Sequence, residues 1–137
     1  MREIICKAKR KDNGKWIEGY YLKSWACKNG NKYDVHLIHN YELDDGWKID
    51  INTLCQLTHM TDVNGKQLWE NDIVKTSNGF LLQVVWSNTY QEFLFKNLEG
   101  GYDFMKGMVS ELSTFTKDKE FEVVGNVFDG VDNDLGE

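Results

Sequence analysis

Three histidines (His36, His39, His59) and three cysteines (Cys6, Cys27, Cys55) are the side chains best suited to hold a metal or attack a substrate. Their spacing argues against both. His36 and His39 stand three apart in an apparent strand, which sends them to opposite faces. The cysteines form no Cys-x-x-Cys pair and match no zinc ribbon or knuckle. An odd number of scattered cysteines fits reduced thiols better than a disulfide framework. Cysteine and histidine together supply the parts of a nucleophilic site. Nothing local resembles a nucleophile elbow or a cysteine-protease signature. Glu70 and Asp72 are the one close acidic pair inside a patterned stretch. Turn capping accounts for them with fewer assumptions than acid catalysis. Gly-x-x-x-x-Gly-Lys-Ser/Thr is absent, so no phosphate loop is expected. The expectation is a non-enzymatic protein with no catalytic residue, no metal and no cofactor.

A second constellation is more suggestive. Lys7, Lys9, Arg10 and Lys11 interleave with Trp16, Tyr20 and Trp25 at the start of the chain. Alternating cations and rings on an open sheet could stack bases and hold phosphates. They could equally pack hairpins or fill a subunit interface, where Trp and Tyr are enriched. Charge favours the second alternative. Residues 1–32 carry nine basic and three acidic side chains, and the rest carry seven basic and nineteen acidic. The net −6 is therefore a +6 head on a −12 body. That body would repel nucleic acid, whereas it could steer like copies together or hold a basic partner. The expected partner is a second copy of the chain, with another protein possible and nucleic acid disfavoured. No apolar run approaches the ~18 residues of a membrane span, and the start has too short an apolar run for a signal peptide.

The elements that must position these residues are strands. Phe80–Trp86 alternates with Phe80, Leu82, Val84 and Trp86 on one face, and Trp47–Ile51 alternates strictly. Phe121–Phe128 is apolar on both faces, with Gly125 marking a bulge or a close backbone approach. Asn13-Gly14, Asn29-Gly30, Asn64-Gly65 and Asn78-Gly79 supply hairpin turns, and Asp45-Gly46 adds a fifth candidate. Met105, Met108, Val109 and Leu112 stand at helical spacing, weakened by Gly107. The absence of proline excludes a Pro-rich linker and a polyproline segment. Length predicts one compact unit. It divides softly into a basic, aromatic-rich β-hairpin subdomain over 1–60, a tighter meander over 61–128 and an acidic flexible tail over 129–137.

The most patterned stretch runs from Gln56 to Lys75. It reads as a strand ending near His59, a tight turn from Asp62 to Gly65, and a bend at Glu70-Asn71-Asp72 launching Ile73-Val74-Lys75. The Asp in such a turn can accept backbone N–H bonds, and Asn71 tolerates the left-handed conformation. This arrangement predicts a mainly β fold with a C-terminal SH3-like small barrel over 61–128 and an N-terminal β-hairpin subdomain. The stretch resembles the YopX family of small phage and prophage proteins. The matching positions are Gln56, Thr58, Asp62, Asn64, Gly65, Lys66, Glu70, Asp72, Ile73 and Val74. Asn13–Tyr20 is similar to the family's opening segment, and Glu122–Phe128, with Gly125 and Asn126, to its closing one. Two positions depart from the pattern: His59 and Asn71 stand where the family usually has glycine. The resemblance implies a mostly β, phage-encoded protein of the host cytoplasm, and no catalytic residues carry over. Interaction with itself or with a host or phage protein is the leading expectation. One alternative is a nucleic-acid-associated accessory protein acting through its basic head. The other is an acidic inhibitor of a host DNA-binding protein.

Overall fold

A computed structural model describes residues 3–40, 43–77, 79–89, 91–98 and 121–131. The segment Met105–Leu112, expected as a short helix or an irregular loop, falls outside them. The chain divides into two compact units, Met1–Leu57 and Thr58–Glu137. Among the described residues both are antiparallel β-structure, with one 3-10 turn and no α-helix.

In the first unit, β1 (Cys6–Lys9), β2 (Trp16–Lys28), β3 (Asn31–Asn40), β4 (Leu43–Lys48) and the start of β5 (Cys55–Thr61) lie in the order β4-β3-β2-β1-β5. Alternation in β1 turns Cys6 and Ala8 inward, where they meet Ile38 and Ile49 with Ile17, Tyr21 and Leu54 against them. A type I′ turn closes β2 onto β3: Asn29 and Gly30 have φ 53 and 81, the two positive values that turn requires. Asp45-Gly46 does not turn the chain. The β3–β4 reversal lies between Asn40 and Leu43, and Gly46 sits inside β4 with φ 73. A Cβ there would come within 3.0 Å of the His39 ring, so this glycine serves a close approach. The alternation of Trp47–Ile51 also stops early. Asp50 accepts a bond from the Asn52 amide and opens a 3-10 turn, Ile51–Thr53.

The second unit continues through the rest of β5 into β6 (Gln67–Trp69), β7 (Asp72–Thr76), β8 (Leu81–Ser87), β9 (Glu92–Asn97), β10 (Phe121–Asn126) and β11 (Gly130–Val131). Its sheet has the order β11-β10-β7-β8-β9. Leu68, Val74, Leu82, Val84, Phe93, Phe95 and Phe121 form the core. Burying each contributes roughly 1.5–3 kcal/mol. The predicted face of β8 holds for Leu82 and Val84, while Phe80 and Trp86 at its ends are exposed. Gly125 combines both roles expected of it. The β7–β10 register shifts between Val123 and Gly125, and a Cβ would lie 2.1 Å from the Gly130 oxygen.

One expectation needs correction. No closed barrel is found among the described residues: the 61–128 meander holds an open five-stranded sheet, and the SH3-like arrangement reduces to a mainly β one. A strand meander specifies neighbours locally, but closure needs the end strands to pair, and here β9 and β11 are the ends. The last described residues are paired. Asn126 Oδ1 accepts bonds from the Phe128 and Asp129 amides, at 2.9 Å each, turning the chain so that β11 pairs with β10.

Candidate functional site

The histidines and cysteines are not gathered. Cys6 and Cys55 are buried, Cys55 donating to the Thr53 carbonyl, and Cys27 is exposed. Nδ1 of His36 shares a 2.6 Å hydrogen bond with the Tyr21 hydroxyl, the rings stacked at 5.9 Å. His39 lies against Gly46, and His59 is exposed. Among the described residues no three His, Cys, Asp or Glu side chains are placed to share a metal ion.

The basic and aromatic head is divided by the sheet. Lys7 pairs with Glu18 and Lys9 with Trp16, so Lys7, Lys9, Trp16, Glu18 and Tyr20 share one face. Trp25 has the opposite parity in β2 and lies on the other face. The cations are engaged on the protein itself. Lys7 and Lys9 place Nζ 4.7 and 5.5 Å from the Trp16 ring centre. Arg10 stacks 3.6 Å over Trp47 and forms a salt bridge with Asp12. That hydrogen bond from Arg10, aided by its charge, holds the Asp12 carboxyl below its ordinary value. Tyr20 donates a 2.6 Å bond to Glu3, and Lys11 lines a cleft with Tyr33, Asp34 and Lys48. Seven residues read from sequence as one surface therefore occupy two faces, with acids among them.

The patterned stretch is a structural hub. Asp62 is buried, and its carboxylate accepts three backbone bonds of 2.9 Å, from Asn64, Lys66 and Val123. It thereby ties its own turn to the start of β10. Asp72 is buried too and accepts a 2.7 Å bond from the Trp69 amide. Thr58 donates to the Leu68 carbonyl at 2.7 Å and accepts from the Met60 amide. Asn71 has φ 71; its amide bonds the Val84 carbonyl, its carbonyl accepts from the Val127 amide, and its side chain accepts from Gln83. His59 has φ 69. Ile73 and Val74 are buried; Asn64, Gly65 and Lys66 are exposed in the turn; Gln56 and Glu70 are half-buried. Gln56 pairs with Cys6 on β1.

The family model described as YopX protein matches residues 7–131. The chain belongs to the YopX family. No curated protein matches it. The YopX pattern is carried here by residues that shape turns. The carboxylates of Asp62 and Asp72 face backbone amides. The two departures are informative as well, because His59 and Asn71 adopt the left-handed conformation ordinarily given to glycine.

Sequence reasoning missed the feature that most distinguishes the first unit. β1 pairs with β2 over Trp16–Gly19, and β4 pairs with β3 from Leu37 onward. Residues 22–36 thus form a two-stranded ribbon with no third strand among the described residues. Leu22, Trp25 and Tyr33 on it are 47, 60 and 46% exposed. The signal available was the alternation of Tyr33, Val35 and Leu37 after Asn29-Gly30, which marks a strand without saying how far its neighbours extend.

Proposed function

We propose that this YopX protein is a non-enzymatic, phage- or prophage-encoded interaction protein of the host cytoplasm that associates with itself. The observation that carries the reading is the β2–β3 ribbon. An isolated two-stranded hairpin is at best marginally stable in water, and this one exposes Leu22, Trp25 and Tyr33. Large apolar side chains on an unsupported ribbon gain from being covered by a partner. The +6 head and −12 body make a like copy an electrostatically suitable one.

Binding of nucleic acid through the basic head fares less well. Lys7, Lys9 and Arg10 are already held against Trp16, Trp47 and Asp12, and Trp25 is on the other face. Light scattering at micromolar concentration in low salt tests the proposal: an oligomer is expected, and a monomer overturns it. A gel shift at two salt concentrations runs beside it. Salt-sensitive nucleic-acid binding by a monomer would move the function to the alternative reading.

A further inference from the structure

We infer that the free edge of β3, Asn31–Val35, is a self-complementary strand-addition site that pairs two copies antiparallel about Tyr33. The inference rests on the self-association proposed above and specifies its surface. The argument starts from which backbone groups point outward. The two-residue turn Asn29-Gly30 makes Lys28 and Asn31 the closing hydrogen-bonded pair of the ribbon. Alternation then directs the N–H and C=O of Asn31, Tyr33 and Val35 toward β2, and those of Lys32, Asp34 and His36 away from it. His36 bears this out, since its carbonyl accepts a bond from the Ile49 amide on the outer side, at 3.1 Å. Beyond that bond, no pairing among the described residues occupies the outer side of Lys32 and Asp34. A surface cleft of about 120 Å³ lies beside Tyr33, Asp34 and His36, with Lys11, Lys48 and Ile49 also lining it.

Lysine on an edge strand ordinarily discourages edge-to-edge pairing. Here the sequence Asn31-Lys32-Tyr33-Asp34-Val35 lifts that block in one register. Antiparallel pairing centred on Tyr33 sets Lys32 against Asp34 of the second copy, and Asp34 against its Lys32. These two opposed pairs are also the ones whose backbone groups point outward, so they form the four hydrogen bonds of the junction. The Tyr33 side chains meet at the dyad as a non-hydrogen-bonded pair, where side chains approach most closely. Centring on Lys32 or on Asp34 instead opposes like charges. Within each copy, Lys23 lies 3.6 Å from Asp34, and Lys32 sits over Trp25 at 4.7 Å. All four belong to the face on which the new pairs would form, so the junction extends an existing ladder of alternating charge. The two-fold arrangement is isologous and closes after two copies.

The test is a charge swap on the full chain, read by sedimentation in low salt. Lys32→Asp and Asp34→Lys should each weaken dimerisation about tenfold or more, because each creates two like-charged pairs. The double variant Lys32→Asp/Asp34→Lys should recover near wild-type affinity. Both positions are exposed, and circular dichroism checks that each variant is folded. Tyr33→Cys in a Cys27→Ser background should cross-link across the dyad under mild oxidation, since opposed non-hydrogen-bonded positions lie about 4.5 Å apart at Cα. If the wild type is a monomer, self-association and this site both fall. If the wild type dimerises but the double variant is no better than the single ones, or the introduced thiols do not cross-link, the β3 edge is wrong while self-association stands.

Discussion

The hub around Asp62 and the ribbon of β2 and β3 use polar residues in opposite ways. In the hub they face inward. Asp62, Asp72 and Thr58 bond backbone groups and the Asn71 side chain accepts from Gln83, leaving turns whose shapes are over-determined. In the ribbon they face outward. Lys23, Lys32 and Asp34 are exposed, and the contacts they make across the two strands, Lys23 with Asp34 and Lys32 over Trp25, are surface ones. The family pattern is concentrated in the hub, whereas the surface suited to a partner is on the ribbon. A recognisable motif here marks how the chain folds, and on the function proposed above the partner meets a different region.

The sharpest way to break this comparison is Asp62→Ala. It strands three backbone amides beside a buried position, and the charge-assisted bonds lost are the stronger kind. Stability should fall by about 3 kcal/mol or more, a large share of the ~5–15 kcal/mol of a typical domain. Trp25→Ala on the ribbon should stay within about 0.5 kcal/mol. Urea unfolding of both variants, at a concentration too low for association, measures the contrast. Equal effects would mean that the hub is no more structural than the ribbon.

A smaller substitution sharpens the same contrast from the other side. His59 and Asn71 hold φ near 70° without being glycine. His59 is the more exposed of the two and is the position to substitute. His59→Gly should stabilise the protein by about 0.5–1 kcal/mol, the relief of left-handed strain less the entropy that glycine loses on folding. The midpoint of urea unfolding should rise. A fall would mean that the imidazole makes contacts worth more than the strain.

These residues also show how far the sequence was legible. The Asp62 turn, the special backbone at Asn71 and the bulge at Gly125 could be read because each depends on one residue type meeting a local requirement. Asp45-Gly46 misled for the same reason. Gly46 does adopt positive φ, but inside β4 and not at a reversal, with the His39 ring packed where a Cβ would stand. Closure of the second sheet and the reach of the ribbon were not legible. Both depend on which strands fail to pair, and alternation identifies a strand's faces without saying how far its neighbours extend. The division of Trp16 from Trp25 was within reach by parity, once β2 was known to be one uninterrupted strand.

The smallest expected effect lies just before the ribbon, where Arg10 bonds Asp12. The Asp12 carboxyl is held below its ordinary 3.8, chiefly by the Arg10 hydrogen bond. A carboxyl whose folded pKa is depressed binds its proton more weakly than in the unfolded chain. Its stabilisation is therefore complete above 3.8 and is lost as pH falls through the lower folded value. Asp12→Asn should separate from wild type slightly near neutral pH and merge with it in strong acid. Because the pair is exposed, added salt should shrink even that separation. A gap that persists in high salt would mean that the β1–β2 turn depends on this contact for its shape as well as its charge. In that event the root of the ribbon would be built like the hub, and the contrast between the two regions would begin only beyond Trp16.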